Sequence, residues 1–202
     1  MVSKKMMVVG AVVIFIVMIG LWSMSGYNSL INLDQASQAQ WAQVESSYQR
    51  RADLIPNLVE AVKGAAKFEH DTMVEVTEAR AKVGQVSTTA GASPANDPEA
   101  LKKFQAAQDQ LSSALSHMMV VVEKYPDLKA TQNFRDLQSQ LEGTENRISV
   151  ERMRFNETAQ AFNTKRDSFP TVLIAGFFGS RFQQKAYFTA QAGADKAPQV
   201  KF

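Results

Sequence analysis

The sequence predicts an all-α protein: an N-terminal transmembrane helix followed by a long antiparallel bundle of three to four helices with coiled-coil-like seams. Three observations carry this reading. Residues 6–24 (MMVVGAVVIFIVMIGLWSM) form an almost unbroken apolar run. In the remainder, apolar residues recur on a three-four beat and never settle into strand-like alternation. Gly and Pro cluster at 84–98 and 169–198, and the stretches between are rich in Ala, Gln, Glu, Leu and Arg, which are good helix formers. All-α is the class that fits this pattern.

The apolar run comes first. At 1.5 Å per residue its ~19 residues reach roughly 29 Å, about the thickness of a bilayer's hydrocarbon core. Lys4 and Lys5 precede it, and the next basic residue on the far side is Arg50. Cationic flanks stay in the cytoplasm, so the bias puts the N-terminus inside and residues 25–202 outside. In a bacterium this is a single-pass inner-membrane protein with a periplasmic domain. A cleaved signal peptide is the competing reading, but its apolar core is only about 7–15 residues long. Ser23-Met24-Ser25 is also a poor cleavage site, crowded by Trp22. The chain has no Cys, which excludes a lipoprotein anchor and a disulfide scaffold. The resulting division is 1–26 as cytoplasmic stub and anchor, 27–169 as helical bundle, and 170–202 as an apolar tail.

A chain of 202 residues holds one membrane helix and one domain. Setting aside Lys4 and Lys5 leaves 20 basic against 20 acidic groups, so the outer part is neutral. A nucleic-acid binder would show a basic excess, and none is present.

The first bundle helix is expected over about 27–83. Trp41, Val44, Tyr48, Arg51, Ile55, Leu58, Val62, Thr72, Val76 and Val83 keep its beat, and Pro56 interrupts it. Proline removes a backbone donor and clashes with the preceding turn, so the helix either kinks there or splits. Gly84 ends it, and 84–97 reads as a flexible loop away from the membrane. The second helix spans about 98–125, with Asp97 as cap and Pro98 in the first turn. The third spans about 128–169. Its seam is strict: Phe134, Leu141, Ile148, Phe155, Phe162 and Phe169 lie seven apart. The short link between these two helices makes them antiparallel neighbours.

These lengths leave the membrane-proximal half of the first helix without a partner from its own chain. It nevertheless carries Leu30, Leu33, Trp41, Val44 and Tyr48. An isolated amphipathic helix is marginal in water, so neighbouring copies or another protein are expected to cover it. The tail is apolar without long periodicity, through Phe177, Phe178, Phe182, Tyr187 and Phe188. It either folds back over the bundle or contacts a subunit or partner.

Several segments together resemble the LemA family. They include Arg50–Val59 (RRADLIPNLV), Tyr27-Asn28, Glu78-Ala79-Arg80-Ala81, Tyr125-Pro126-Asp127-Leu128-Lys129 and the stretch 141–148 (LEGTENRI). Arg154-Phe155-Asn156, Phe162-Asn163, Phe169-Pro170 and Tyr187-Phe188 continue the pattern in the same order, so the resemblance spans nearly the whole chain. It implies an N-terminal membrane helix, a long antiparallel helical domain and no enzyme activity. The family's usual description puts the short N-terminus outside, whereas Lys4 and Lys5 here argue for the inside.

No catalytic constellation is visible in the sequence, and no cofactor or metal is expected. His70 and His117 lie on different helices, and Glu69-His70-Asp71 cannot close a metal site alone because adjacent helical residues diverge. Charged and amide residues lie on or beside the seams: Arg51, Asp53, Asn57, Glu69, Arg80, Glu145, Asn146, Arg147, Glu151, Asn156 and Asn163. Buried charges must be paired, so these residues are expected to bridge helices and fix register, or else to line a ligand or partner groove. Two functional classes follow. One is a self-assembling, membrane-anchored scaffold that organises envelope components. The other is an adaptor or regulatory subunit of a membrane complex, such as a protease or transporter.

Overall fold

The computed structural model describes residues 4–63, 70–89 and 94–189, with backbone alone for Lys4 and 87–89. The described residues are mainly helical and contain no strand. Helix α1 runs unbroken through Lys4–Lys63, α2 through His70–Thr89 and α3 through Pro98–Val122. A short α4, Pro126–Lys129, precedes α5, Gln132–Asp167, and α6, Thr171–Phe178. Short 3-10 turns occupy Pro94–Asn96 and Gly179–Phe182, and residues 183–189 are extended.

The apolar run is the N-terminal part of α1. It is long and apolar enough to cross a membrane, and none of it is buried by the rest of the chain. Beyond it, α1 packs along α5, with residue numbers falling on α5 as they rise on α1. Thus Leu30 shares a cluster with Phe162, Trp41 meets Phe155, and Arg51 meets Glu145. Helix α2 packs on α3 in the same opposed sense, Glu75 reaching His117 while Val86 lies against the cluster holding Leu101 and Phe104.

The first bundle helix is therefore not one rod over 27–83. Helix α1 ends at Lys63 and α2 folds back beside it, so that Val76 and Val83 join the cluster of Leu54, Leu58 and Val62. An uninterrupted beat is equally compatible with one long helix and with two shorter ones folded together. Residues 64–69 lie outside the described residues, and the expected seam residue Glu69 is among them. The chain following α2 also differs from the expected loop away from the membrane: Ala95 is buried in the cluster that contains Trp41, level with the middle of α1.

Pro56 neither splits nor ends α1. It lies on the exposed face, where its ring can pass the previous turn. Its missing N–H leaves the carbonyl of Ala52 without the usual i+4 donor. Arg80 of α2 fills that position, its Nε donating to Ala52 O at 3.0 Å. Arg80 is thus an exposed clasp between helices, not a member of a buried seam.

The caps follow the sequence. Asp97 accepts from the backbone N–H of Glu99 at 2.9 Å and Ala100 at 3.3 Å, with Pro98 in the first turn. Thr131 caps α5 by accepting from Phe134 N, so α5 begins four residues later than expected, after α4 has made the corner.

Arg80→Leu should cost about 1 kcal/mol, the typical net value of one such hydrogen bond. In Pro56→Ala, the restored N–H supplies the same carbonyl, and the cost of Arg80→Leu should fall towards zero. Denaturant unfolding of the four proteins of this double-mutant cycle measures the coupling. Equal costs in both backgrounds would refute the clasp.

Candidate functional site

The most constructed part of the molecule is the groove that holds residues 183–189. An extended segment among helices has no strand beside it, so its backbone groups need other partners. Side-chain amides provide them. Asn163 accepts from Lys185 N at 2.8 Å and donates to Lys185 O at 2.9 Å. Asn156 does the same for Phe188, at 2.9 Å in both directions. Gln105 of α3 holds Thr189, donating to its carbonyl at 2.7 Å and accepting from its N–H at 3.4 Å. Ala186 N donates to Ala95 O at 3.0 Å. Arg166 Nε donates to Phe182 O at 2.6 Å, and Arg152 donates to Thr189 O at 3.2 Å.

The spacing explains why asparagines seven apart can do this. Seven helical residues rise ~10.5 Å, and the three steps from Lys185 to Phe188 cover about 10 Å when extended. One Phe-Asn pair, repeated at Phe155-Asn156 and Phe162-Asn163, thus serves two purposes. Each Phe is fully buried in the core, and each Asn meets one backbone unit of the tail.

The tail's side chains close the wall. Phe188 stacks on Trp41, with centroids 5.8 Å apart and planes 14° apart, and meets Phe155 edge-on at 5.7 Å. Phe104 completes the cluster against Trp41 and Tyr48. Burial raises the Tyr48 phenol above its ordinary pKa of 10.0, keeping it neutral. Lys185 is itself buried. Its Nζ reaches Asp34 Oδ1 of α1 at 2.5 Å and Asn96 Oδ1 at 2.6 Å, and lies over the Phe162 ring. Removing one member of such a buried pair typically costs ~3–5 kcal/mol.

The stretch of α1 from Leu30 to Tyr48, the stalk between the apolar run and the far half of the bundle, is therefore covered by its own chain. Leu30, Trp41, Val44, Tyr48, Phe182 and Phe188 are buried and Leu33 is half-buried. The expectation that neighbouring copies or another protein cover Leu30 to Tyr48 is corrected: α5, α6 and the tail reach further back along α1 than the estimated lengths allowed, and at Phe182 and Phe188 the tail folds back over the bundle. Of the expected contact residues, Phe177, Phe178 and Tyr187 remain exposed.

The expected polar seam is not one assembly. Arg51 is buried and donates to Glu145 Oε2 at 2.7 Å, Ser112 Oγ at 2.9 Å and the Gln108 side chain. Glu151, also buried, accepts from Gln40 at 2.6 Å and pairs with Arg154 at 3.3 Å. Asn156 binds the tail. Asp53, Asn57, Arg80, Asn146 and Arg147 are exposed, as the outward side of the same helices must be. Asp34, Gln105, Gln108 and Lys185 were missed because their partners are backbone groups or lie on distant segments. An open groove of ≈ 520 Å³ lies beside Arg51, lined by Ser112, Ser116, Met119, Gln138, Leu141 and Glu142 among others, with no histidine. Among the described residues, no three His, Asp or Glu side chains gather as a metal site.

Asn163→Asp tests the clamp most sharply. The carboxylate keeps the acceptor for Lys185 N but sets an oxygen against Lys185 O. We expect a loss of about 2 kcal/mol or more, the cost of buried groups left unpaired, in denaturant unfolding of the detergent-solubilised protein. A change within a few tenths of a kcal/mol of wild type, as is usual for surface substitutions, would contradict the clamp.

Residues 40–202 match the LemA family. The chain is 25% identical to the magnetosome protein MamQ of Magnetospirillum gryphiswaldense, over 84% of this chain and 66% of that protein. It is 24% identical to magnetosome protein MamQ 2 of Paramagnetospirillum magneticum, again over 84% of this chain and 66% of the relative. It is 23% identical to protein LemA of Metamycoplasma hominis, over 65% of this chain and 55% of the relative. The chain thus spans about two thirds or less of the length of these relatives. With four-fifths of its residues inside the family match, and the Phe-Asn pairs and their tail partners all within it, the chain belongs to the LemA family.

Proposed function

We propose that this protein is a membrane-anchored, non-enzymatic scaffold. Its four long helices form one antiparallel bundle on the extracytoplasmic face, where it self-associates and organises envelope components. The observation that carries this reading is the continuity of α1. One helix of 60 residues, ~90 Å long at 1.5 Å per residue, is both the candidate span and the central rod of the domain. The domain cannot swivel freely on such an anchor, which suits positioning better than diffusion-limited chemistry. Relatives named for a cellular structure, the magnetosome, and not for a reaction support a non-enzymatic role. The orientation rests on Lys4 and Lys5 facing a stretch without cations as far as Arg50.

Because the stalk is covered, self-association is assigned to the outer face of α5, where Val150 and Met153 are exposed one turn apart. The same surface suits the adaptor reading, with a different protein as occupant.

A single experiment addresses orientation and assembly. The chain lacks cysteine, so Met153→Cys provides a unique thiol. Spheroplasts carrying this full-length variant are treated with a membrane-impermeant bis-maleimide. The proposal predicts a cross-linked product at twice the mass of the 22.3 kDa chain, because one thiol per copy lets the reagent join two copies and no more. An unmodified thiol reached only after lysis would overturn the orientation. A modified monomer would overturn self-association through this face and favour the adaptor.

A further inference from the structure

Helix α6 has two faces of similar polarity and very different surroundings. Ile174 and Ala175 are buried with Leu30, Phe162 and Phe182. On the opposite side, Leu173 and Phe177, one turn apart, are 64% and 84% exposed. Phe169, just before the helix, is 80% exposed. A large apolar face left open to water is costly, at roughly 25 cal/mol per Å².

Its position along α1 identifies what covers it. Helix α6 is seated at Gly26, where a Cβ would lie only 2.6 Å from Ile174 Cδ1. The absence of a side chain lets the two helices approach. An apolar groove of ≈ 690 Å³ between them is lined on one side by Ile19, Trp22 and Met24, and on the other by Leu173 and Phe177. Ile19 lies five residues inside the end of the apolar run, which is ~7.5 Å at 1.5 Å per residue. That matches the ~5–10 Å depth at which interfacial helices bury their apolar face. Eight residues reach only ~12 Å, too short to cross. Arg181 is exposed just beyond α6.

We propose that α6 is a second membrane contact, an interfacial helix lying in the leaflet from which the domain emerges, with Leu173 and Phe177 in lipid. This rests on α1 crossing the bilayer. The occupant is lipid and not a second copy because the open face continues directly into the exposed surface of the span. Anything seated there would itself sit in the membrane. The continuous α1 couples the domain rigidly to the span, and α6 as a second attachment point then fixes how span and domain together tilt and rotate relative to the bilayer.

The test uses the full-length protein in phosphatidylcholine–phosphatidylglycerol liposomes, with an environment-sensitive fluorophore on one introduced cysteine. Phe177→Cys probes α6, Val12→Cys the span, and Val120→Cys, at an exposed site near the far end of α3, the aqueous reference. Position 177 makes little contact with the core, so the substitution leaves the fold intact. The proposal predicts that spin-labelled lipid quenches position 177 several-fold more than position 120, and that aqueous iodide quenches it several-fold less. Iodide quenching at 177 equal to that at 120, with position 12 still lipid-quenched, would overturn the proposal and leave the span standing. Shielding of 177 from both quenchers would mean a protein covers it, and would overturn the proposal too. Loss of lipid quenching at position 12 would bring down both readings.

Discussion

An extended segment buried among helices has to find a partner for every backbone N–H and C=O it withdraws from water, and the membrane-proximal half of this protein depends on how that demand is met. Asn156 and Asn163 stand two turns apart on α5 and each satisfy one backbone unit of the tail in both directions. Gln105 does the same from α3. The amide is the right side chain because it carries a donor and an acceptor at peptide spacing. A carboxylate or an ammonium would satisfy only half of each pair. Once seated, the tail brings Phe188 onto Trp41 and Lys185 onto Asp34. Without it, the aromatic wall of α1, α3 and α5 would face water, and Asp34 would lose its buried cation.

The same arrangement ties the domain to the candidate membrane span. Helix α1 leaves the apolar run without a break and carries the packing surface for α5, α6 and the tail. The buried charges Arg51 and Glu151 are held by side chains: Arg51 through three partners on its terminal nitrogens, with its Nε unpaired, and Glu151 through Gln40 and Arg154. Such groups contribute less to net stability than to register, since each fits only one alignment of its helices. The stiffness proposed for the scaffold has this physical content. It comes from one continuous helix, locked by an extended strap and by polar contacts that do not tolerate sliding.

Much of this was legible from the residues. The heptad from Phe134 through Leu141, Ile148 and Phe155 to Phe162 on α5, the Asp97-Pro98 start of α3 and the apolar run are local patterns, and each appears where its chemistry placed it; the last expected member, Phe169, lies past the end of α5 at Asp167 and is exposed. The reversal after Lys63 was not legible, because an apolar beat records which side of a helix is buried and not whether the helix has turned back. The role of Asn156 and Asn163 was half legible. Their spacing marked them as seam residues, but an amide on a helix can address a neighbouring side chain or a passing backbone with equal ease. The tail itself has no period to detect, since its partners come from other segments. Pro56 posed a choice between kink and split. The answer lay in Arg80, 28 residues further on, which supplies the donor that proline lacks.

The central claim is that side-chain amides hold residues 183–189 as firmly as a strand partner would. Amide hydrogen exchange in the full-length protein tests it directly, resolved at Lys185 and Phe188. The account predicts that both N–H groups exchange as slowly as the core of α5, because they open only when α5 and the tail separate. Exchange at the rate of an unprotected peptide at these two residues, with α5 still protected, would contradict it.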